Sequence, residues 1–450
     1  MTLQLTAKQW EAQHVLAGDA KHLMLFGGSR SGKTFLLVRN VVARAVKAPH
    51  SRHAVFRFRF NALRASVVED TFPKVMRLAF PAVTYKIDKE AWFVRFPNGA
   101  EIWFAGLDDK ERTEKVLGME FVTIYLNECS QIPLNSVNLA ITRLAQSVDQ
   151  VIEGREPQPL RPRVYYDENP PSKAHWSYKQ FVQKIDPETG EPLRAPNDYA
   201  WFKINPTDNM ANIADGYIES TLANLPARLR KRFLDGEFAD ATPGALFTDE
   251  VIERWRHDGV APLPDMVRIV VAVDPSGSGD ADNADNDAIG IVVAGLGTDG
   301  NCYLIEDCTV KAGPGTWGKV ATEAYQRHKA DMIVGEQNFG GAMVGFVIRA
   351  AMPRASYRSV TASRGKVVRA EPFSALYEQG KVRHAGRFAE LEDELTSFTT
   401  HGYVGTDSPN RADALIWALA DLFPAIVAPP KPKDEKPSIP SLTTAFARTP

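Results

Sequence analysis

With 450 residues, a formal net charge of −2, 44% hydrophobic and 24% charged residues, the chain is long enough for two globular domains and exerts no global electrostatic pull on nucleic acid. No uncharged apolar run approaches membrane-spanning length, and Cys129, Cys302 and Cys308 have neither the number nor the spacing of a disulfide framework or a zinc site. The opening MTLQLTAKQW lacks the charged and apolar regions of a signal peptide, so the cytoplasm is the expected compartment.

The first informative stretch is the apolar run HLMLF, followed by GGSRSGKT at residues 27–34 and then FLLV. Strand, glycine loop and helix form the context of a phosphate-binding P-loop, G-x-x-x-x-G-K-S/T. The pattern predicts ATP binding by Gly27, Gly28, Ser29, Arg30, Ser31, Gly32, Lys33 and Thr34. Backbone N–H groups and Lys33 would face the phosphates, and the Thr34 hydroxyl would face Mg²⁺. Apolar strands then alternate with helical stretches: HAVFRFRF, WFVRFPNG with AEIWFAGL, FVTIYLNE and RPRVYYDENP. That alternation predicts an α/β core with a mainly parallel sheet, and Asn98-Gly99 predicts a hairpin turn within it.

The run FVTIYLNE ends in Asn127-Glu128 where Asp-Glu is usual in P-loop ATPases. A carboxylate at Glu128 can hold a water in line with the γ-phosphate. The Asn127 amide reaches Mg²⁺ only as a neutral ligand or through a bound water. A helix cap is the structural alternative for this pair. Arg30, inside the loop, and Arg143 are candidates for transition-state charge stabilisation, against the ordinary alternative of solvated or acid-paired arginines.

Near residues 229–249 the pattern gives way to charge and glycine, which marks a domain junction. The expected organisation is a P-loop NTPase (RecA/ASCE-like) domain over residues 1–230 with a small linker subdomain near its end, a linker over 231–262, a second domain over 263–428 and a disordered tail over 429–450. The second domain opens with RIVVAVDPS, DAIGIVVAGLG and NCYLIEDCTV, the last two joined by a turn at Thr298-Asp299-Gly300-Asn301. A helix over 316–329, the strand DMIVGEQ, a helix after Gly341, a strand over 356–362 and the helix RADALIWALADLF follow. Three antiparallel strands and then alternating helices and strands is the order of a ribonuclease-H-like fold. In it Asp274, Glu336 and Asp413 would meet at one sheet edge, with Asp287 as a supporting ligand. Such carboxylates suit two Mg²⁺ or Mn²⁺ ions that activate a water and stabilise a leaving 3′-oxygen. Each alone also reads as a turn former or a first-turn helix charge.

In this order LTAKQ, GGSRSGKT, RFPNGAEIWFAGLDD, IYLNE, DENPP, AVDPSGSGD, VGEQNFGG and NRADALIWALAD resemble the large subunit of tailed-phage terminases over about residues 5 to 425. The resemblance implies an ATPase with Mg²⁺ that drives double-stranded DNA into a procapsid and a metal-dependent endonuclease that cuts concatemeric DNA. It implies a small terminase subunit and a portal protein as partners, a homo-oligomeric ring on the portal, no membrane, and the host cytoplasm as the place of action. It assigns Gln9 to adenine, although LTAKQ also suits a helix N-cap. It assigns Asn169 to sensing the γ-phosphate, although an Asx turn before Pro170-Pro171 reads equally well. Candidate DNA contacts are Arg57, Arg59, Arg64, the run 228–232, Lys366 and Arg369. A cellular repair translocase fused to a nuclease would carry further helicase motifs. A nucleotide-switched scaffold would not need Lys33, Thr34 and Glu128 together.

Overall fold

The computed structural model describes residues 5–107, 118–225, 227–259, 261–275, 288–336, 342–361, 365–405 and 408–427. Asp287 and the expected tail over 429–450 lie outside the described residues. Among the described residues, no helix is long and apolar enough to cross a membrane.

The first domain is built on an eight-stranded sheet in the order Tyr199–Lys203, His22–Phe26, Arg163–Glu168, Thr123–Leu126, Arg52–Arg57, Glu101–Gly106, Phe93–Arg95, Lys86–Asp88. The first six strands pair in parallel, and the last two continue antiparallel from Glu101–Gly106. Strand Arg163–Glu168 therefore lies between the P-loop strand and the strand that leads into Asn127-Glu128, the strand order of an ASCE-type P-loop domain. The Asn98-Gly99 turn forms as expected, with the Phe96 N–H donating to the Ala100 carbonyl at 2.9 Å. Edge strand Tyr199–Lys203, beside the P-loop strand, was not expected from the sequence.

Central parallel strands are covered on both faces, which is why their residues are apolar without alternation. Leu23 and Leu25 enter one core cluster with Leu36, Leu37, Val41 and Val42 of helix Lys33–Lys47, whereas Met24 and Phe26 enter another with Phe121, Trp176 and Phe181. Each fully buried Leu or Val contributes roughly 1.5–3 kcal/mol.

The second sheet has six strands in the order Tyr357–Val360, Met332–Glu336, Met266–Asp274, Gly290–Gly297, Cys302–Asp307, Val382–His384. Met266–Asp274, Gly290–Gly297 and Cys302–Asp307 form the expected antiparallel trio, closed by the turn at Gly300. Val270 and Ala272 face the cluster that holds helix Asn410–Leu422, whereas Val271 and Val273 face helices Pro314–Arg327 and Ala342–Ala351. The short strand Val382–His384, parallel to Cys302–Asp307, was not anticipated.

The connecting segment is tied to the second domain. Helix Asp249–Trp255 starts at Thr248, whose hydroxyl caps the Val251 N–H at 3.2 Å, and it buries Ile252 in the second domain's core. Just beyond it, Arg256 donates to Glu253 at 2.8 Å and to Glu392 at 2.7 Å, and Glu392 also holds His384 Nδ1 at 2.8 Å. Earlier in the same connecting segment, Arg232 pairs with Asp393 at 3.9 Å.

Candidate functional site

The loop between strand His22–Phe26 and helix Lys33–Lys47 is held from behind. A Cβ on Gly27, whose φ is +142°, would lie 2.0 Å from the Ile204 carbonyl oxygen, so only glycine lets the chain turn there. The Asn205 side-chain oxygen accepts from the Gly28 N–H at 3.1 Å, and the Asn209 amide donates to the Arg30 carbonyl at 2.7 Å. Inside the loop the Lys33 ammonium donates to the carbonyls of Gly27 (3.0 Å) and Gly28 (2.7 Å), to Ser31 Oγ (3.0 Å) and to Asn169 Oδ1 (3.4 Å). Burial lowers its pKa, and Glu128, Asp167 and Glu168 act against that.

A cavity of about 630 Å³ opens over the loop, lined by Gln9, residues 29–34, Arg57, Asn127, Glu128, Asn169, Asn209 and Tyr217. Gly27 and Gly28 stand behind it as the carbonyl cradle of Lys33, and Arg143 lies outside its lining. Gln9 does two things at once. Its Oε1 accepts the Thr6 N–H at 3.1 Å in a capping box, and its Nε2 donates to Asn209 Oδ1 at 3.0 Å on the cavity wall. Glu128 sits at φ +50°, a strained setting for a non-glycine residue. Burial and then the Asp167 charge raise its carboxyl pKa, offset by Arg57 and Lys33. The Thr34 hydroxyl donates to Asp167 at 2.6 Å, so oxygen donors suited to a hard cation gather at the start of the helix.

The second group forms at one edge of the other sheet. Asp274 ends Met266–Asp274, and Glu336 ends the neighbouring parallel strand, one residue past the Val273–Gly335 pairing. Helix Asn410–Leu422 brings Asp413 to them because its start abuts Gly290, the residue paired with Asp274, where a Cβ would lie 1.9 Å from the Asn410 carbonyl oxygen. Burial, then the charge of Asp413 and the Glu336 carboxyl, push Asp274 well above the usual carboxylate range. Lys366 Nζ stands 2.8 Å from Asp413 Oδ2, and Arg369 lies 3.2 Å from Asp413 and 3.6 Å from Glu336. Trp417 stacks under Arg369 at 4.6 Å and donates to Glu336 at 3.0 Å. Among the described residues, no three His, Cys, Asp or Glu side chains surround a common ion-sized point in this conformation. The carboxylates converge, but Asp413 is taken up by Lys366 and Arg369, and Glu336 by Arg369 and the Trp417 indole. Three buried acids that need cationic neutralisation are nonetheless a donor set that fits divalent metal.

The sequence matches the family model for the N-terminal part of the T4-like terminase large subunit over residues 24–254, and the model for the terminase RNaseH-like domain over 271–422. The chain belongs to the terminase large-subunit family. This terminase large subunit is thus an ATPase-type P-loop domain followed by an RNase-H-like nuclease domain, in a family of phage DNA-packaging ATPases and nucleases.

Among solved structures it is similar to the large terminase of a thermophilic bacteriophage, at 11% identity over 93% of this chain and 99% of that one, with a TM-score of 0.47. The ADP complex of that thermophilic phage protein gives 12% identity over 93% and 98%, with a TM-score of 0.45. A mutant nuclease domain of the large terminase subunit gp2 of bacterial virus Sf6, with manganese, gives 16% over 39% and 98%, with a TM-score of 0.30. No curated relative matches the chain.

Several residues of this terminase subunit fall where no motif pointed. Arg57, read as a DNA contact, lines the cavity over the P-loop and lies 3.4 Å from Asn127 Oδ1. Lys366, read the same way, is paired with Asp413, and Arg369 with Asp413 and Glu336. Arg64 pairs with Glu69 at 3.4 Å, whereas Arg59, Arg230 and Lys231 are exposed. Asn205 and Asn209 have no motif that marks them, since their partners are some 180 residues away.

Proposed function

We propose that this subunit is the motor and nuclease of a DNA-packaging machine. ATP hydrolysis in the first domain drives double-stranded DNA into a procapsid, and the second domain cuts concatemeric DNA with the help of divalent metal. The carrying observation is that the P-loop, Glu128 and Asn169, delivered by three neighbouring strands, line one cavity.

In this reading ATP is the substrate of the cavity. The loop N–H groups bind its phosphates, and Lys33 leaves the Gly27 and Gly28 carbonyls for the β- and γ-phosphate oxygens. Gln9 meets the adenine, Glu128 orients the attacking water, Asn169 reads the γ-phosphate beside Lys33, and the exposed Arg30 adds positive charge at the mouth. Mg²⁺ bound at Thr34 supplies charge neutralisation of the phosphates.

In the second domain Asp274, Glu336 and Asp413 hold metal, which supplies Lewis acidity for phosphodiester cleavage. Lys366 and Arg369 neutralise the acids until metal and DNA arrive. DNA lies along exposed bases such as Arg59, Arg230 and Lys231. The partners in this account are a small terminase subunit and a portal, on which several copies form a ring in the host cytoplasm. DNA-stimulated phosphate release, lost in Lys33→Ala, together with metal-dependent plasmid cutting tests the pair of activities. A folded chain with neither activity refutes the reading.

A further inference from the structure

We propose that Asp167, on the strand between the P-loop strand and the strand leading into Glu128, is the acidic residue that holds Mg²⁺ against Thr34, taking the role that Asn127 cannot fill. This rests on the reading of the cavity as an ATP site.

Three observations carry it. Asn127 and Asp167 stand side by side, since each directly follows one member of the Leu126–Tyr166 pair in the parallel register. The two side chains touch, with Asn127 Nδ2 donating to Asp167 at 3.0 Å. Second, the same amide group faces the Tyr125 hydroxyl at 3.1 Å, and its oxygen accepts from Arg57 at 3.4 Å. Rotating the amide would press its oxygen on a carboxylate and its N–H₂ on a guanidinium, so the network fixes the orientation and turns the Asn127 oxygen away from Thr34. Third, the Asp167 carboxylate meets the residue whose hydroxyl faces the metal in a P-loop, at 2.6 Å from Thr34 Oγ1.

A further contact of Asp167 is the Glu128 N–H at 2.8 Å, which fixes the backbone that aims Glu128 into the cavity. Asp167 is 1% exposed, and the ammonium that feels its charge, Lys33, is taken up by the loop carbonyls. A hard cation at Thr34 gives this carboxylate the partner its burial calls for. The Asn127–Asp167 pair carries one negative charge, as an Asp–neutral pair would with the acid on the other strand. The charge has moved by one strand.

The test is ATPγS binding to the full chain, titrated in EDTA and in Mg²⁺. Binding in EDTA reports on the P-loop reading, and the gain in affinity on adding Mg²⁺ reports on Asp167. In Asp167→Asn the gain is expected to shrink by about tenfold or more while binding in EDTA persists. The exchange Asn127→Asp with Asp167→Asn keeps the buried amide–carboxylate pair, so it serves even if the single variant does not fold, and it is expected to recover the gain. A folded Asp167→Asn chain with the wild-type gain overturns the proposal. So does a folded exchange chain that binds ATPγS in EDTA without any Mg²⁺ gain. A wild-type chain that binds no ATPγS under either condition removes the ATP-site reading and the proposal with it.

Discussion

The ammonium of Lys33 lies 3.4 Å from the side-chain oxygen of Asn169, joining two residues 136 positions apart that both lie beyond the ends of adjacent parallel strands. In the loop's present closure the same ammonium occupies the carbonyls of Gly27 and Gly28, so entry of phosphate has to exchange those contacts for phosphate oxygens. Removing the amine takes away both the phosphate contact and the link to Asn169. Lys33→Ala is expected to lower ATP turnover by about 100-fold or more, with plasmid cutting by the same full chain retained. Phosphate release and gel assays on one preparation check this, and joint loss in a folded variant contradicts the two-site account.

Glu128 is the second handle on the ATPase. Glu128→Gln keeps the shape of the side chain and removes its charge, so ATPγS binding is expected to survive while turnover falls by about 10²–10⁴-fold. Burial and Asp167 raise its carboxyl above the ordinary value of 4.5. In the proposed role of orienting the attacking water the group works ionised, so turnover is expected to fall on acidification through a midpoint above 4.5, and a pH–rate profile reads that limb.

How much of this was legible in the sequence depends on whether the determining contacts are local. The P-loop, the Asn98-Gly99 hairpin and the turn at Gly300 could be read because glycine and turn chemistry act within a few residues. The succession of strands along the second domain, from Met266–Asp274 to Tyr357–Val360, was legible in its apolar runs. By contrast, Tyr199–Lys203 and Val382–His384 are short edge strands with mixed composition, placed by what they pair with. Asp167 read only as the first letter of DENPP, because its meeting with Thr34 spans 133 residues. Arg57 looked like one of several surface bases in FRFRF, and only the sheet turns it into the cavity.

Glu168, next to Asp167, gives a stability prediction. Burial raises its carboxyl to about 7, while Ser177, Cys129, Arg387 and Arg232 act in the opposite direction. Since the folded value exceeds the unfolded value near 4.5, the folded chain binds more protons between the two. Stability from this group is complete below about 4.5 and declines by about 3 kcal/mol as pH rises through 7. The buried His22, His53, His175 and His384 act the other way below about 6.5, so the expected sign is in the difference: the thermal midpoint of wild type falls relative to that of Glu168→Gln between pH 5 and about 8. Glu394, also raised to about 7, is present in both chains and leaves the difference in place.

The charge cluster under the connecting helix is a structural anchor. Burial alone would raise Glu253, but Arg256 and Arg387 outweigh it and hold the carboxyl at about 2. Arg256→Met strands Glu253 and Glu392 among buried groups with Arg387 as their remaining guanidinium, and is expected to cost about 3–5 kcal/mol. Denaturant unfolding of the full chain measures this, and a cost under about 1 kcal/mol would show that the pair is dispensable.

The most direct test of the central claim is plasmid cleavage by the full chain with Mg²⁺ or Mn²⁺ and with EDTA, comparing wild type with Asp274→Ala. The account predicts metal-dependent cutting that disappears in Asp274→Ala while ATP turnover continues. Equal cutting by the variant, or no cutting by a folded, metal-loaded wild type, would contradict it.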